Sequence, residues 1–467
     1  MNKLVSSLKE AIRLSGLQDG MTLCFHHHLR NGDYVFNLAM EAVRELGLHD
    51  LTLICSSVMS CDTALIPCLE DGTIGAIETD YISREFGPAL NSLRLSKPVR
   101  FHSHGHFDAC IRSGQLKVNL FVLGAPTCDP MGNLTGKTGP SACGSLGYAF
   151  TPAQMADKVI AVTDNLVPYP LADYSIPETC VDYVVKVDKI GDREGIVSGT
   201  TVLTRDPVKL KIGELACDVI EQSGLFQNGM SFQTGAGGIS LAAAQFLKER
   251  MLSAGIVGSF IMGGTTRFSV DLLTSGCFQT LYDVQCMDLA AVDSLSKNPG
   301  HVEVSNEHYA SPAAKSSIVE SLDAAVLGAT EIDLEFNVNV HTDSNGLIMG
   351  GSGGHSDIAD CNKLAVVVAP LWRNRLPVVR ERVTCISTPG HTVDVFVCQA
   401  GIAVNPARED LRLRLKDAGL NVRSIEELKV MAERFTGHPA PLRYEKNVVA
   451  EVLFRDGSLL DTIHTVR

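Results

Sequence analysis

The sequence predicts an α/β protein built as two tandem domains around mainly parallel sheets. Three observations lead there. Short apolar runs rich in β-branched residues alternate with segments of helical period through the first half of the chain. At 467 residues the chain is longer than one hydrophobic core usually supports. Near Asp206 the order restarts: Pro207 marks the entry to a segment with helical spacing through Glu214, Cys217, Ile220 and Glu221. The expected division is therefore residues 1–205 and 206–467.

The elements follow in order. The opening "MNKLVSSLKEAIRLSG" spaces its apolar residues as an amphipathic helix, and Lys9, Glu10 and Arg13 interrupt the unbroken apolar core a signal peptide needs. "MTLCFHH" reads as a strand, "VFNLAMEAVRELG" as a helix, and "LTLICSS", "VNLFVLGAP" and "DKVIAVTD" as further strands. In the second half "GSFIMGG", "EIDLEFNVNV", "KLAVVVAPL", "RVTCIST" and "VDVFVCQAG" read as strands. "EDLRLRLKDAG" and "SIEELKVMAERFTG" read as closing helices.

Composition removes several function classes. Hydrophobic residues make up 45% and charged residues 20%, and no apolar run approaches the roughly 18 residues a spanning helix needs, so a cytoplasmic protein is expected. The 14 cysteines are scattered from Cys24 to Cys398 without a CxxC pair, as for free thiols in a reducing compartment. A net charge of -13 without a basic block disfavours nucleic acid and leaves room for a small anionic substrate.

Two glycine-rich segments stand out. In "FQTGAGGISLAAAQFLKERM", Gly235, Gly237 and Gly238 open a helical pattern, an arrangement whose backbone N–H groups suit a phosphate or an oxyanion. The spacing matches neither the P-loop nor the dinucleotide fingerprint, and a tight structural turn explains this segment alone equally well. In "NGLIMGGSGGHSDIADCNKLAVVVAPL", Gly350, Gly351, Gly353 and Gly354 crowd before His355 and Asp357. Glycine costs backbone entropy unless close approach or positive φ requires it, so the two segments together point to a ligand with a long backbone-contacting surface. The clusters His26–His28 and His102, His104, His106 raise a metal centre: on strands, His26 and His28 share one face, and so do His102 and His104. No familiar zinc spacing or HEXXH motif completes it, so no catalytic metal is expected.

The segments "FQTGAGG", "LYDVQCMDL", "EIDLEFNVNVHTDSNGLIMGGSGGHSDIA" and "GIAVNPAR" together resemble the CoA-transferase superfamily. With "FHHHLRNGDY", "HSHGHFDACIRSG", "GAPTCDPMGNLTG" and "LVPYP", the closer resemblance is to citrate lyase α subunits, from about residue 8 to the end. The resemblance implies two CoA-transferase-like α/β domains with the active site in the cleft between them. It implies exchange of acetyl for citryl on an acyl carrier thioester, with CoA thioesters able to stand in for the carrier and no tightly bound cofactor. It also implies a lyase β subunit, a γ acyl carrier subunit and a homo-oligomer within that complex.

On this reading Gly353 and Gly354 hold the oxyanion, while Gly235, Ala236, Gly237, Gly238 and Gly351 receive the carrier's CoA-derived group. His27, Arg30 and Arg373 are candidates for citrate's carboxylates, with Arg375 beside the last. Many CoA-transferases use a glutamate that becomes an enzyme-bound thioester. The corresponding strand "LYDVQC" offers only Asp283 and Gln285, with Glu335 as the nearest alternative. Direct transfer in a ternary complex is therefore expected, Asp283 or Asp357 orienting groups. Another carboxylate CoA-transferase or an acyl-CoA hydrolase is the alternative within the superfamily. A pure assembly scaffold would have no use for paired backbone cradles.

Overall fold

The computed structural model describes residues 3–197 and 201–467; residues 1, 2 and 198–200 lie outside the described residues. The first half supplies strands β1 (Leu4–Val5), β2 (Thr22–His26), β3 (Leu51–Cys55), β4 (Ile74–Thr79), β5 (Val99–Phe101), β6 (Leu120–Gly124), β7 (Lys158–Thr163) and β8 (Tyr183–Lys186). The second half supplies β9 (Phe232–Thr234), β10 (Gly258–Thr265), β11 (Phe278–Cys286), β12 (His301–Glu303), β13 (Ala324–Gly328), β14 (Leu364–Val368), β15 (Val395–Cys398), β16 (Gly401–Val404) and β17 (Val422–Arg423). A terminal hairpin, β18 (Tyr444–Leu453) and β19 (Leu459–Val466), ends the chain.

These strands form two sheets. One runs β1-β8-β7-β6-β2-β3-β4-β5-β18-β19 and is parallel except for the terminal hairpin. The other runs β12-β11-β10-β9-β13-β14-β15-β16-β17 and is parallel except at β15–β16. Alternation along the central strands sorts side chains onto two buried faces. Ala324, Val326, Leu364, Val366, Val395 and Val397 join one core, while Ala325, Leu327, Ala365, Val367 and Phe396 join another. Both faces being covered is why these strands are apolar throughout.

The structure departs from the expected elements in four places. The hairpin of residues 444–466 belongs to the first sheet, through Ala450–Val452 paired with Val99–Phe101, so the chain does not close on helices and the segment 206–467 is not confined to the second sheet. "EIDLEFNVNV" is not one strand: Glu331–Asp333 and Val338–Asn339 pair antiparallel about a turn in which Asp333 Oδ1 accepts from the N–H groups of Glu335 and Asn337, and Phe336 has φ 65. "RVTCIST" forms no strand because three of its N–H groups go to carboxylates instead of a ladder, Val383 to Asp333, Thr384 to Glu331 and Ile386 to Asp461, while those of Ser387 and Thr388 share the Val338 carbonyl. His104 does not share a strand with His102, because β5 ends at Phe101 and helix α1 (His104–Ser113) begins at His104.

The two halves meet along a seam of backbone-to-backbone approaches. A Cβ on Gly351 would lie 2.0 Å from the Asp80 carbonyl oxygen, and one on Gly147 would lie 2.2 Å from that of Val304. Gln285 Nε2 donates to the His27 carbonyl at 2.8 Å, and Ser145 Oγ donates to that of Asp283 at 2.8 Å. Glycine is thus required at the seam for closeness. Gly351→Ala is expected to destabilise the protein by about 1–3 kcal/mol, since backbone cannot yield as a side chain can. Gly328→Ala, where nothing lies within 4 Å of the added Cβ, should stay within about 0.5 kcal/mol by denaturant midpoint.

Candidate active site

Helix α1 begins at the seam, and its first residue is the centre of the site. Ser103 is the N-cap, its Oγ accepting from the His106 N–H at 3.2 Å. The same Ser103 hydroxyl donates to Asp357 Oδ1 at 2.8 Å, and the Gly105 N–H donates to Asp357 Oδ2 at 3.0 Å. Asp357 lies in the first turn of helix α3 (His355–Cys361; α2 being Gly238–Ala254), so a carboxylate from the second half caps a helix of the first. Arg455 of the terminal hairpin lies 3.6 Å from Asp357 Oδ1 and 3.3 Å from Asp360 Oδ2. Burial raises the Asp357 carboxyl to about 6, against the pull of its hydrogen bonds and of Arg455.

The His104 imidazole projects from this anchored turn. Its Nδ1 lies 2.7 Å from Asp80 Oδ2, and its side chain keeps 18% exposure where that of Asp80 keeps 2%. Burial works against the imidazolium, but the Asp80 carboxylate outweighs it and raises the His104 pKa. Tyr148 lies with its ring centroid 4.6 Å from that of His104, and Tyr309 with its centroid at 6.5 Å. Tyr309 Oη accepts from Gln233 Nε2 at 3.0 Å, which leaves the phenol hydrogen free to donate. Glycines 353 and 354 close the group: Cβ atoms there would lie 3.0 Å from His104 Nε2 and 2.7 Å from Tyr309 Oη. Gly353 also has φ 51.

Beside this cluster, β9 ends in Gln233 and Thr234, and α2 opens with Gly237 as an N-cap that offers no side chain. Among the described residues, the first N–H groups of this 17-residue helix find no side-chain partner. Ser240 Oγ and Gln233 Oε1 are buried without a hydrogen-bond partner among the described residues, and nothing lies within 4 Å of a Cβ placed on Gly237. A helix N-terminus of this kind and unpartnered polar atoms have the chemistry that suits an anion or an amide.

Comparison with known proteins gives the family. The family model "Citrate lyase, alpha subunit (CitF)" matches residues 1–466. The chain belongs to the citrate lyase α-subunit family. It is 44% identical over 465 residues to the citrate lyase alpha chain of Escherichia coli K12, covering 100% of this chain and 91% of that one. Identity to the Klebsiella pneumoniae alpha chain is 45%, covering 100% and 92%. A Streptococcus mutans structure described as the α subunit of citrate lyase in complex with citrate superposes with a TM-score of 0.98 at 42% identity, covering 100% of this chain and 92% of that one. The malonate decarboxylase α subunit of Acinetobacter baumannii shares the fold, with a TM-score of 0.68 at 14% identity over 94% of this chain and 96% of that one.

Set within this citrate lyase α-subunit fold, the residues singled out by sequence divide sharply. Gly353, Gly354 and Asp357 come together around His104. Gly235, Ala236, Gly237 and Gly238 form the turn into α2, where the Gly235 N–H is spent on the Val326 carbonyl at 2.9 Å and Gly238 packs against Val202 and Thr204. Gly351 serves the seam against Asp80. Arg373 is exposed and donates to the Ala329 carbonyl at 2.7 Å, near His355 through Gly328. Arg30 has φ 52 and donates to the Ile196 carbonyl at 3.3 Å.

Three assignments need correction. His27 does not lie on a rim: its side chain is 1% exposed, its Nε2 is 3.1 Å from Asp62, and that carboxylate raises its pKa against the cost of burial. Its neighbours His26 and His28 are held neutral by burial, His28 down to about 3. Asp283 is sealed beneath the seam, 3.0 Å from His301 with both side chains at 0% exposure. Glu335 is an exposed turn residue whose carboxylate accepts from Asn337 Nδ2 at 3.5 Å, because Asp333 folds the backbone there into a turn.

Sequence reasoning missed Asp80, Tyr148, Tyr309 and Gln233. Asp80 and Tyr148 carried no motif, and "HSHGHFD" named His104 only as a metal ligand. A signal existed in Asp80, which follows an apolar strand directly, the position where parallel-sheet sites gather.

A pH dependence follows from Asp357. Its folded pKa of about 6 exceeds the usual carboxyl value, so the folded state holds a proton the unfolded chain has released. Its contribution to stability is full below pH ~4 and is lost as pH rises through about 6, a change of roughly 3 kcal/mol. Subtracting the denaturation profile of Asp357→Asn from that of the unaltered protein should reveal this descending step between pH 4 and 6.

Proposed function

We propose that the chain is the citrate CoA-transferase component of citrate lyase, exchanging acetyl for citryl on the thioester of an acyl carrier. The observation that carries this reading is a partly open imidazole, oriented by Asp80 and flanked by two phenols and a glycine loop, beside an uncapped helix N-terminus, in a chain of the citrate lyase α-subunit family.

The chemistry runs in two displacements. A citrate carboxylate oxygen attacks the acetyl thioester carbonyl; the C–S bond breaks, the thiolate leaves, and a citryl–acetyl mixed anhydride forms. The thiolate then attacks the citryl carbonyl, and acetate departs. Each tetrahedral oxyanion needs donors already in place, worth roughly 3 kcal/mol apiece in favourable cases. His104 Nε2, the Tyr309 hydroxyl and the Gly354 N–H supply them, with the Gly353 N–H drawn instead toward the Asp80 carbonyl at 3.4 Å. Gly235, Ala236, Gly237 and Gly238 at the start of α2, with Ser240 behind them, receive the anionic or amide end of the CoA-derived group. Arg373 and Arg30 are the cations for citrate's remaining carboxylates.

No acidic side chain of the cluster is free to become an acyl carrier: Asp80 is engaged by His104 and Asp357 by Ser103 and Gly105. Transfer is therefore direct. The CoA-type thioester is a substrate and no cofactor is held permanently. The lyase β subunit and the γ carrier subunit are the partners, in a complex that contains several copies of this chain.

Incubating the full chain with acetyl-CoA and citrate should yield citryl-CoA and acetate in equal amounts; acetate without citryl thioester would identify a hydrolase instead. His104→Asn should lower kcat by about 100-fold or more with the fold intact. Hydroxylamine should trap no enzyme-bound acyl group, and a stoichiometric acyl hydroxamate formed on the protein would overturn direct transfer.

A further inference from the structure

The second histidine cluster holds more than the cleft uses. His102 precedes α1, and His106 and Cys110 follow at intervals of four along one face of it, all three buried. Ligand-capable atoms of the three lie within 4.8 Å of one another. His102 Nδ1 is 3.0 Å from His106 Nδ1, and Cys110 Sγ is 3.2 Å from His106 Nε2. We propose that His102, His106 and Cys110 form a structural metal site behind the cleft, for zinc or a similarly thiophilic divalent cation.

Four features fit a metal. Two nitrogens and one sulfur select zinc over magnesium or calcium, which prefer oxygen ligands. A tetrahedral zinc with bonds of about 2.0–2.3 Å spaces its ligand atoms roughly 3.3–3.6 Å apart; the Cys110 Sγ–His106 Nε2 pair at 3.2 Å stands near that spacing, and one ligand atom from each of the three residues lies within 4.8 Å of the others. Glu78 Oε2 lies 2.7 Å from His102 Nε2, so the N–H of His102 points at a carboxylate and the lone pair of Nδ1 is turned inward. A carboxylate behind a ligating histidine is the usual support of a zinc ligand. Finally, the β18–β19 turn closes over the cluster through Gly457, where a Cβ would lie 2.9 Å from His106 Nε2. Only a residue without a side chain leaves that nitrogen accessible.

Binding is balanced by the loss of one proton. Without metal, the Cys110 thiol donates to His106 Nε2, His106 Nδ1–H donates to His102 Nδ1, and His102 Nε2–H donates to Glu78. Entry of the cation releases the Cys110 proton to solvent. The hydrogen bond from His106 Nδ1–H to His102 Nδ1 breaks as the His102 ring turns, and the thiolate, His106 Nε2 and His102 Nδ1 then direct their lone pairs to the metal, with water in the fourth position. Because α1 starts with His104 and Gly105, a cation clamped along it would stiffen the helix that presents the site's imidazole. The proposal stands independently of the transferase reading.

Cobalt(II) is the probe, because a cobalt–thiolate bond gives a strong charge-transfer absorption in the near ultraviolet. Titrating the full-length protein under a phosphine reductant should give that band with saturation at one equivalent, and zinc should displace the cobalt. Cys110→Ser should abolish the band, and His106→Gln should weaken cobalt binding at least tenfold, each with unchanged circular dichroism. If Cys110→Ser does not fold, His106→Gln decides. Absence of the band, or a band of equal intensity and affinity in the folded variants, which assigns it to another cysteine, would overturn the proposal.

Discussion

The Asp357 carboxylate is the interaction on which the rest of the cleft depends. It comes from the second half, yet its two oxygens are bonded to Ser103 and Gly105 at the start of α1 in the first. A fully buried carboxylate is costly unless every oxygen finds a donor, and hydrogen bonds to a charged group contribute about 1.5–3 kcal/mol each. Here the donors are a capping hydroxyl and a helix N-terminal N–H, with Arg455 of the terminal hairpin alongside. One carboxylate thus ties together a first-half helix, a second-half helix and the end of the chain. His104 stands between the two groups it binds and inherits its position from them.

Close backbone approach is the second constraint. The glycines of 350–354 were expected as a ligand cradle, and they divide between two tasks. Gly351 lets the loop lie on Asp80, while Gly353 and Gly354 make room for the His104 ring and the Tyr309 hydroxyl. Packing and site are therefore one structure. The loop that holds the halves together is also the wall of the cleft.

Buried histidines mark where residue type misleads. His26, His27 and His28 look like ligands or substrate contacts in the sequence, and all three are enclosed. His27 Nε2 lies 3.1 Å from the Asp62 carboxylate, and its carbonyl accepts from Gln285 across the seam. His341 is likewise enclosed and His355 half-buried, bonded through Nδ1 to Ser387 and Thr388 with no carboxylate partner among the described residues. What separates His104 from these is one exposed edge and one buried carboxylate, and neither is written in the local sequence.

The sequence by itself determined the α/β class, the parallel strands and the glycine turn into α2, because apolar periodicity and glycine placement are local consequences of backbone geometry. Family resemblance carried the citrate lyase α-subunit reading, since many ordered segments agree along the whole chain. Only the tertiary structure decided which polar residues share the cleft. Asp80, His104, Tyr148, Gln233, Tyr309 and Asp357 come from separate strands, turns and short helices, up to hundreds of residues apart. It also decided that Asp283 is sealed, that Glu335 turns outward and that the last hairpin returns to the first sheet. The physical reason is the same in each case: burial and hydrogen-bond satisfaction are properties of what packs against a residue, and no neighbour in sequence supplies that.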